Sequence, residues 1–276
     1  MPLKLELMKK LQLKNKWVLI TGASSGLGQE MARQLALNFK ANLIIAARRA
    51  DKLEQLKAEL ETSAGIQVKV IIADLSIPEE ADRVIAESIA ENNLYGAILN
   101  AGVTYFGRHT DLPWADFESI LKTNVISVVR MTNSLVNYFD KPGTEGSVML
   151  VSSMASYFPV PYQAAYSATK AFITAFGSAL HYELKNPDFS ITVFAPGGIA
   201  TEMTDNTKFN DLKSWLMPVS QAAKEGLHAF VTRKYNYVPG WLNRVGSVMM
   251  NFLPKKFLTG RMSKVYLKSL VKAETE

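Results

Sequence analysis

The sequence predicts an α/β fold, a doubly wound parallel sheet of about seven strands with helices on both faces. Three observations predict it. Short β-rich apolar runs recur at Trp17–Thr21, Asn42–Ala46, Gln67–Ala73, Tyr95–Asn100, Ser147–Ser152, Ile191–Ala195 and Tyr235–Pro239. Longer stretches between them carry helical spacing. The runs are apolar without alternation, as strands buried on both faces are, and strand–helix alternation in one sheet demands parallel pairing through right-handed crossovers. A chain of 276 residues, 48% hydrophobic and 20% charged, buries roughly three quarters of its extended surface on folding. No metal or disulfide is needed to hold it.

The first run, W-V-L-I-T, leads directly into Gly22-Ala-Ser-Ser-Gly26-Leu-Gly28. A helix follows over Gly28–Phe39, with Met31, Leu35 and Phe39 on one stripe. Glycines at these positions let the chain turn sharply and approach a pyrophosphate, which the helix N–H groups and dipole attract. Ser24 and Ser25 add hydroxyl donors. The alternative is a plain strand-to-helix turn; its place after the first strand of an alternating pattern favours a nucleotide site.

The second run ends in Arg48-Arg49 before a helix over Asp51–Glu61, whose Leu53, Leu56 and Leu60 share a stripe. No acid occurs from Leu43 to Ala50 to bond a ribose 2′-hydroxyl, and Asp51 comes too late in the turn. Two arginines suit a 2′-phosphate through charge-assisted bonds. The cofactor expectation is NADP(H) over NAD(H).

The fifth run, S-V-M-L-V-S, is followed by Ser153, thirteen residues before Tyr166. Hydroxyls at the carboxyl end of a parallel strand sit where open α/β sheets bind ligands. Ser152 reads as a strand-end turn residue. Tyr166 is the one tyrosine of ten with a lysine four residues on, Lys170. That spacing places both on one helix face, although by itself it arises easily by chance and fits an amphipathic helix with one ring in the core. A nearby ammonium is expected to lower the phenol's pKa from its usual value near 10 and make it a proton donor or acceptor near neutrality.

Together these residues resemble the short-chain dehydrogenase/reductase family, short single-domain type, over residues 16 to about 240. The resemblance is carried by T-G-A-S-S-G-L-G (21–28), Asp74-Leu75, Asn100-Ala101-Gly102, Asn124, Ser153, Tyr166-x-x-x-Lys170 and Pro196-Gly197. It implies a Rossmann-like domain and reversible hydride transfer between a nicotinamide and a carbonyl or alcohol carbon. The turn from Gly22 through Ser24, Ser25, Gly26 and Leu27 to Gly28 would hold the pyrophosphate, and Arg48 the 2′-phosphate. Asp74, with Leu75 beside it, would bond the adenine amino group. Asn100, Ala101 and Gly102 would line the ribose region. Asn124 would hold a kink and a water that relays protons to Lys170. Ser153 would bond the substrate oxygen, Tyr166 exchange its proton, and Lys170 also grip the nicotinamide ribose. Beyond Pro196-Gly197, Thr201 would contact the carboxamide. The family's P-G-x-V-x-T reads P-G-G-I-A-T here, with Ile199 in place of Val. A homo-oligomer is also implied.

Composition removes other chemistries. There is no cysteine, and the three histidines, His109, His181 and His228, are scattered. Disulfides, thiolate nucleophiles and a protein-built zinc site are not expected. The net charge of +6 fits several anionic partners, and its distribution narrows them. Residues 1–16 carry net +4, residues 17–240 net −3, and residues 241–276 net +5. The expected layout is a basic N-terminal extension (1–16), a catalytic domain (17–240) and a basic amphipathic C-terminal extension (241–276). No signal peptide or membrane-length apolar stretch is visible, so a cytoplasmic protein is expected. No helix-turn-helix or zinc pattern supports nucleic acid.

The C-terminal extension places Trp241, Val245, Val248, Met249 and Phe252 at helical spacing, then interleaves apolar and basic residues after Pro254. It is either a peripheral membrane contact, a lid over the pocket, or a helix docked on the body or a partner subunit. Met154, Tyr157, Phe158, Pro159, Pro161, Tyr162, Met203, Phe209, Trp215, Leu216 and Met217 either line an apolar pocket or pack as core. An apolar carbonyl or alcohol is the expected small-molecule substrate. The competing class is a non-catalytic NADP(H)-sensing or membrane-associated regulator, which has no need of Ser153, Tyr166 and Lys170 together.

Overall fold

The structure, a computed structural model, describes residues 9–205 and 215–275. Phe209 and the first eight residues of the N-terminal extension lie outside them. Seven strands form one parallel sheet in the order β3-β2-β1-β4-β5-β6-β7. They are β1 (Trp17–Thr21), β2 (Asn42–Ala47), β3 (Val68–Ile72), β4 (Leu94–Leu99), β5 (Gly146–Val151), β6 (Phe189–Phe194) and β7 (Asn236–Tyr237).

The sheet is central because its strands are apolar on both faces. One face is covered by α1 (Gly26–Phe39), α2 (Ala50–Ala64) and, further along the chain, α7 (Val219–Val231). Met31, Leu35, Leu53, Leu56, Leu60, Leu227 and Phe230 bury against it. The other face is covered by α3 (Pro78–Asn92), α5 (Ser127–Phe139) and α6 (Ala164–Glu183), through residues such as Val84, Met131, Leu135 and Ile173. A further helix, α4 (Trp114–Leu121), runs into α5 through a single wide π-helical turn, Lys122–Ile126.

β7 is shorter than the apolar run suggests. It pairs only Val193 with Asn236 and Phe194 with Tyr237, because Pro239 and Gly240, at φ 80°, turn the chain into α8 (Trp241–Phe252). After Leu253-Pro254 the chain continues as α9 (Lys255–Thr275). Among the described residues no helix is long and apolar enough to cross a membrane.

Strand order reverses between β1 and β4. Their connections leave in opposite directions and open a crevice at the carboxyl ends, the place where such sheets bind ligands.

Candidate active site

The crevice begins at the β1–α1 turn. Gly22 sits at φ 69°, a left-handed backbone that side chains disfavour. Its neighbours crowd the turn: a Cβ on Gly28 would lie 2.4 Å from the Gly22 carbonyl oxygen and 2.5 Å from Asn100 Nδ2. Gly28 thus lets α1 press against the strand end. Asn100 stitches the two strands together, its Nδ2 donating to Thr21 O at 3.0 Å. Thr21 Oγ1 accepts from the backbone N–H of Asn100 at 3.0 Å and of Ala101 at 3.1 Å. The first turn of α1 carries no acid, so its dipole and free N–H groups remain available to an anion.

At the end of β2 the two arginines part. Arg49 Nε donates to Ser24 Oγ at 3.2 Å, and its Nη1 pairs with Glu202 at 3.1 Å. Arg48 is exposed, with Nη1 3.9 Å from Asp74 Oδ2. Asp74 spends its other oxygen on the Ser76 backbone N–H and hydroxyl, both at 2.9 Å. Oδ2 is left beside the Arg48 guanidinium, and both side chains line the crevice.

Deeper in, α6 and the end of β5 bring Ser153, Tyr166 and Lys170 to one wall. The Tyr166 and Ser153 side chains both line this wall, and Ser153 Oγ accepts from the Ala155 backbone N–H at 3.1 Å. Lys170 Nζ lies 5.7 Å from the centre of the Tyr166 ring and donates to Val151 O at 2.8 Å. Ser152 clamps the strand to the helix, bonding Lys170 O at 2.9 Å and Thr174 Oγ1 at 2.6 Å. Asn124 sits in the π turn, wholly buried. Its Oδ1 accepts from Val103 N, and its Nδ2 donates to Val103 O and Thr169 Oγ1. A Cβ on Gly102 would lie 3.4 Å from both Asn124 Oδ1 and Lys170 Nζ.

The electrostatics correct one expectation. Burial raises the Tyr166 pKa, and Ser153 opposes that rise. Burial also lowers Lys170 to about 8, since a low-dielectric wall penalises the ammonium. Desolvation therefore dominates the pair, and the phenol moves up rather than down.

These walls enclose a cavity of about 670 Å³. Gly22, Ser24, Ser25, Gly26, Leu27, Arg48, Asp74, Leu75, Asn100, Ala101, Gly102, Ser153, Tyr166, Lys170, Pro196, Gly197 and Thr201 all line it. Gly28 and Asn124 stand behind the wall and shape it. A nicotinamide dinucleotide fits this donor set: a glycine-rich turn at a helix N-terminus, an exposed arginine at the end of β2, and hydroxyls at the far end. Of the expected apolar lining, Met154, Phe158, Met203, Trp215 and Leu216 face the cavity. Tyr157 instead reaches Asn236, and Met217 pairs with Ile199 in an isolated bridge. Pro161 and Tyr162 line a smaller neighbouring pocket, and Pro159 lines neither.

Four further lining residues come from the C-terminal segment: Asn243 and Met250 on α8, Met262 and Tyr266 on α9. Tyr266 packs edge-on against Phe106, ring centres 5.1 Å apart, and its pKa is raised by burial and then by the charge of Tyr166. Sequence reading left this segment's role open. Its inward residues are mixed in polarity, so no stripe marked them out.

The short chain dehydrogenase family pattern matches residues 16–211. Human 17-beta-hydroxysteroid dehydrogenase type 3 (Homo sapiens) is 29% identical over 254 residues, 90% of this chain and 74% of that protein. A 7beta-hydroxysteroid dehydrogenase structure superposes with a TM-score of 0.79 at 22% identity, covering 92% of this chain and 99% of the other. A short-chain dehydrogenase from Sphingobium yanoikuyae, in complex with NADPH, has a TM-score of 0.76 at 24% identity, covering 87% and 96%.

Proposed function

The chain belongs to the short chain dehydrogenase family, an oxidoreductase family acting on CH–OH and C=O groups with a nicotinamide cofactor, and we propose that it is an NADP(H)-dependent reductase of apolar carbonyl compounds. The observation that carries this reading is the convergence of Ser153, Tyr166 and Lys170 on one cavity wall, with the buried Lys170 Nζ 5.7 Å from the centre of the phenol ring.

When bound, the cofactor supplies a hydride from nicotinamide C4 to the carbonyl carbon. The carbonyl's π electrons move to its oxygen, which takes the proton of Tyr166 Oη. Ser153 Oγ–H donates to that oxygen as charge develops, a preorganised electrostatic contribution. Burial keeps the Tyr166 proton on at neutral pH, the state reduction requires. Lys170, held to Val151 O, would approach the nicotinamide ribose past the bare face of Gly102. Asn124 is the positioning residue that keeps the π turn behind them.

NADP(H) is favoured by Arg48, exposed at the end of β2, and by the acid-free stretch 43–50. The apolar substrate is favoured by Met154, Phe158, Met203, Leu216, Met250 and Met262 around the cavity, and by likeness to a relative named for a hydroxysteroid. A homo-oligomeric state, implied by the resemblance, is read by mass in solution. A peripheral membrane position has an observation of its own, the outer face of α8.

The test is NADPH and NADH consumption across a panel of carbonyls from small ketones to steroids and acyl compounds. Preferred oxidation of NADPH with bulky apolar ketones is expected, and Tyr166→Phe should abolish it. Ordinary turnover by Tyr166→Phe would overturn the assignment.

A further inference from the structure

An amphipathic helix on a protein body turns its apolar stripe inward. α8 does the reverse. Trp241, Leu242, Val245, Val248, Met249 and Phe252 are all exposed, Trp241 by 69% and Phe252 by 82%. At helical periodicity they form one stripe roughly 120° wide. The face against the body carries Asn243, Ser247 and Met250, of which Asn243 and Met250 reach the cavity. So α8 buries its less apolar side and presents its most apolar side outward. Contiguous apolar surface of this kind marks an interaction site.

The neighbouring chain says what meets it. From Trp241 to Lys272 there are seven arginines and lysines and no acid. At the α8–α9 corner Phe252, Leu253, Lys255, Lys256 and Phe257 are successively exposed around Pro254. Along α9, Phe257, Arg261, Lys264, Leu267, Lys268 and Val271 lie outward, sharing one side at helical spacing. The inward side of the same helix carries Met262, Tyr266 and Leu270. Apolar side chains ringed by cations complement an anionic lipid interface, where rings and aliphatic chains enter the acyl boundary while lysines meet headgroup phosphates. A second copy fits worse, because pairing this face with itself sets Lys255, Lys256, Arg261, Lys264 and Lys268 against the same five cations.

We propose that the outer face of α8 and the cationic edge of α9 seat the protein on an anionic bilayer surface. The same two helices line the cavity on their inward side, so the seated molecule holds its cavity wall within one helix thickness of the lipid. The binding needs neither cofactor nor turnover and stands apart from the catalytic reading.

The full-length protein is sedimented with vesicles of phosphatidylcholine alone and with one-third phosphatidylserine, at low and high salt. Binding to the phosphatidylserine vesicles is expected, falling as salt rises. Val245→Glu with Phe252→Glu should weaken it about a hundredfold, each apolar side chain being worth roughly tenfold. Lys255→Glu with Lys256→Glu should weaken it and flatten the salt dependence. Circular dichroism and thermal melting confirm that both variants fold, since all four side chains are exposed. The proposal is overturned if the unaltered protein stays in solution, binds both vesicle types equally, or binds as well with Val245→Glu and Phe252→Glu in place. It is equally overturned if those substitutions instead convert an oligomer to monomers.

Discussion

At Tyr166 two neighbours pull in opposite directions. Burial raises its pKa and Ser153 holds it down. Removing the phenol hydroxyl in Tyr166→Phe deletes the proposed proton donor, so turnover should fall by about 10²–10⁴-fold, while cofactor titration changes little. Oxidation of an alcohol needs the phenol to release its proton, so the oxidative rate should climb as pH rises above neutrality. A flat oxidative pH profile would contradict Tyr166 as the titrating group.

Lys170 makes a second claim at this scale. Its folded pKa of about 8 lies below the unfolded value near 10.4. The unfolded chain therefore binds more protons between those values, and stability rises with pH across that window. Below about pH 8 the buried ammonium costs roughly 3 kcal/mol. Urea unfolding should show Lys170→Met more stable than the unaltered protein at neutral pH, with the gap closing by pH ~10. A gap that widened with pH would reverse the sign of this account. Arg48, exposed and unburdened by a short ion pair, belongs here too. Arg48→Ala should weaken NADPH about tenfold and leave NADH nearly unchanged; equal losses would remove the 2′-phosphate argument.

Among the elements, the β1–α1 turn has the least tolerance. A Cβ at Gly28 would meet backbone oxygen at 2.4 Å, and backbone cannot rotate away as a side chain can. Gly28→Ala should lower stability by about 1–3 kcal/mol and abolish cofactor binding, read by thermal melting and cofactor fluorescence. The turn was legible because its glycines sit at the junction of a five-residue apolar run and a helical stripe. The π turn at Lys122–Ile126 was only partly so. Asn124 was marked out by resemblance and lies within this π turn, but nothing local in L-K-T-N-V predicts a widened turn. It forms because the Asn124 amide satisfies both Val103 backbone groups across the crevice, a partnership between distant segments.

For the whole molecule, the cavity is closed by the last helices rather than by the sheet alone. Tyr266 reaches into it while packing on Phe106. Tyr266→Ala should raise KM for bulky apolar carbonyls about tenfold by removing apolar wall, with NADPH affinity unchanged. Unchanged KM across the carbonyl panel would show that α9 stands clear of substrate.

Local order along the chain determined the strands, most helices and the Gly22–Gly28 turn. Each is written in short-range periodicity or spacing, and backbone geometry translates these directly into position, whereas Ser153, Tyr166 and Lys170 were joined as a set by resemblance. The direction of the Tyr166 and Lys170 pKa shifts was decided only by tertiary structure, because desolvation depends on what distant segments place around a group. The orientation of α8 was decided there as well. Its apolar stripe was plain in the sequence at Trp241, Val245, Val248 and Phe252, but whether a stripe faces core or solvent depends on what space the rest of the chain has already filled.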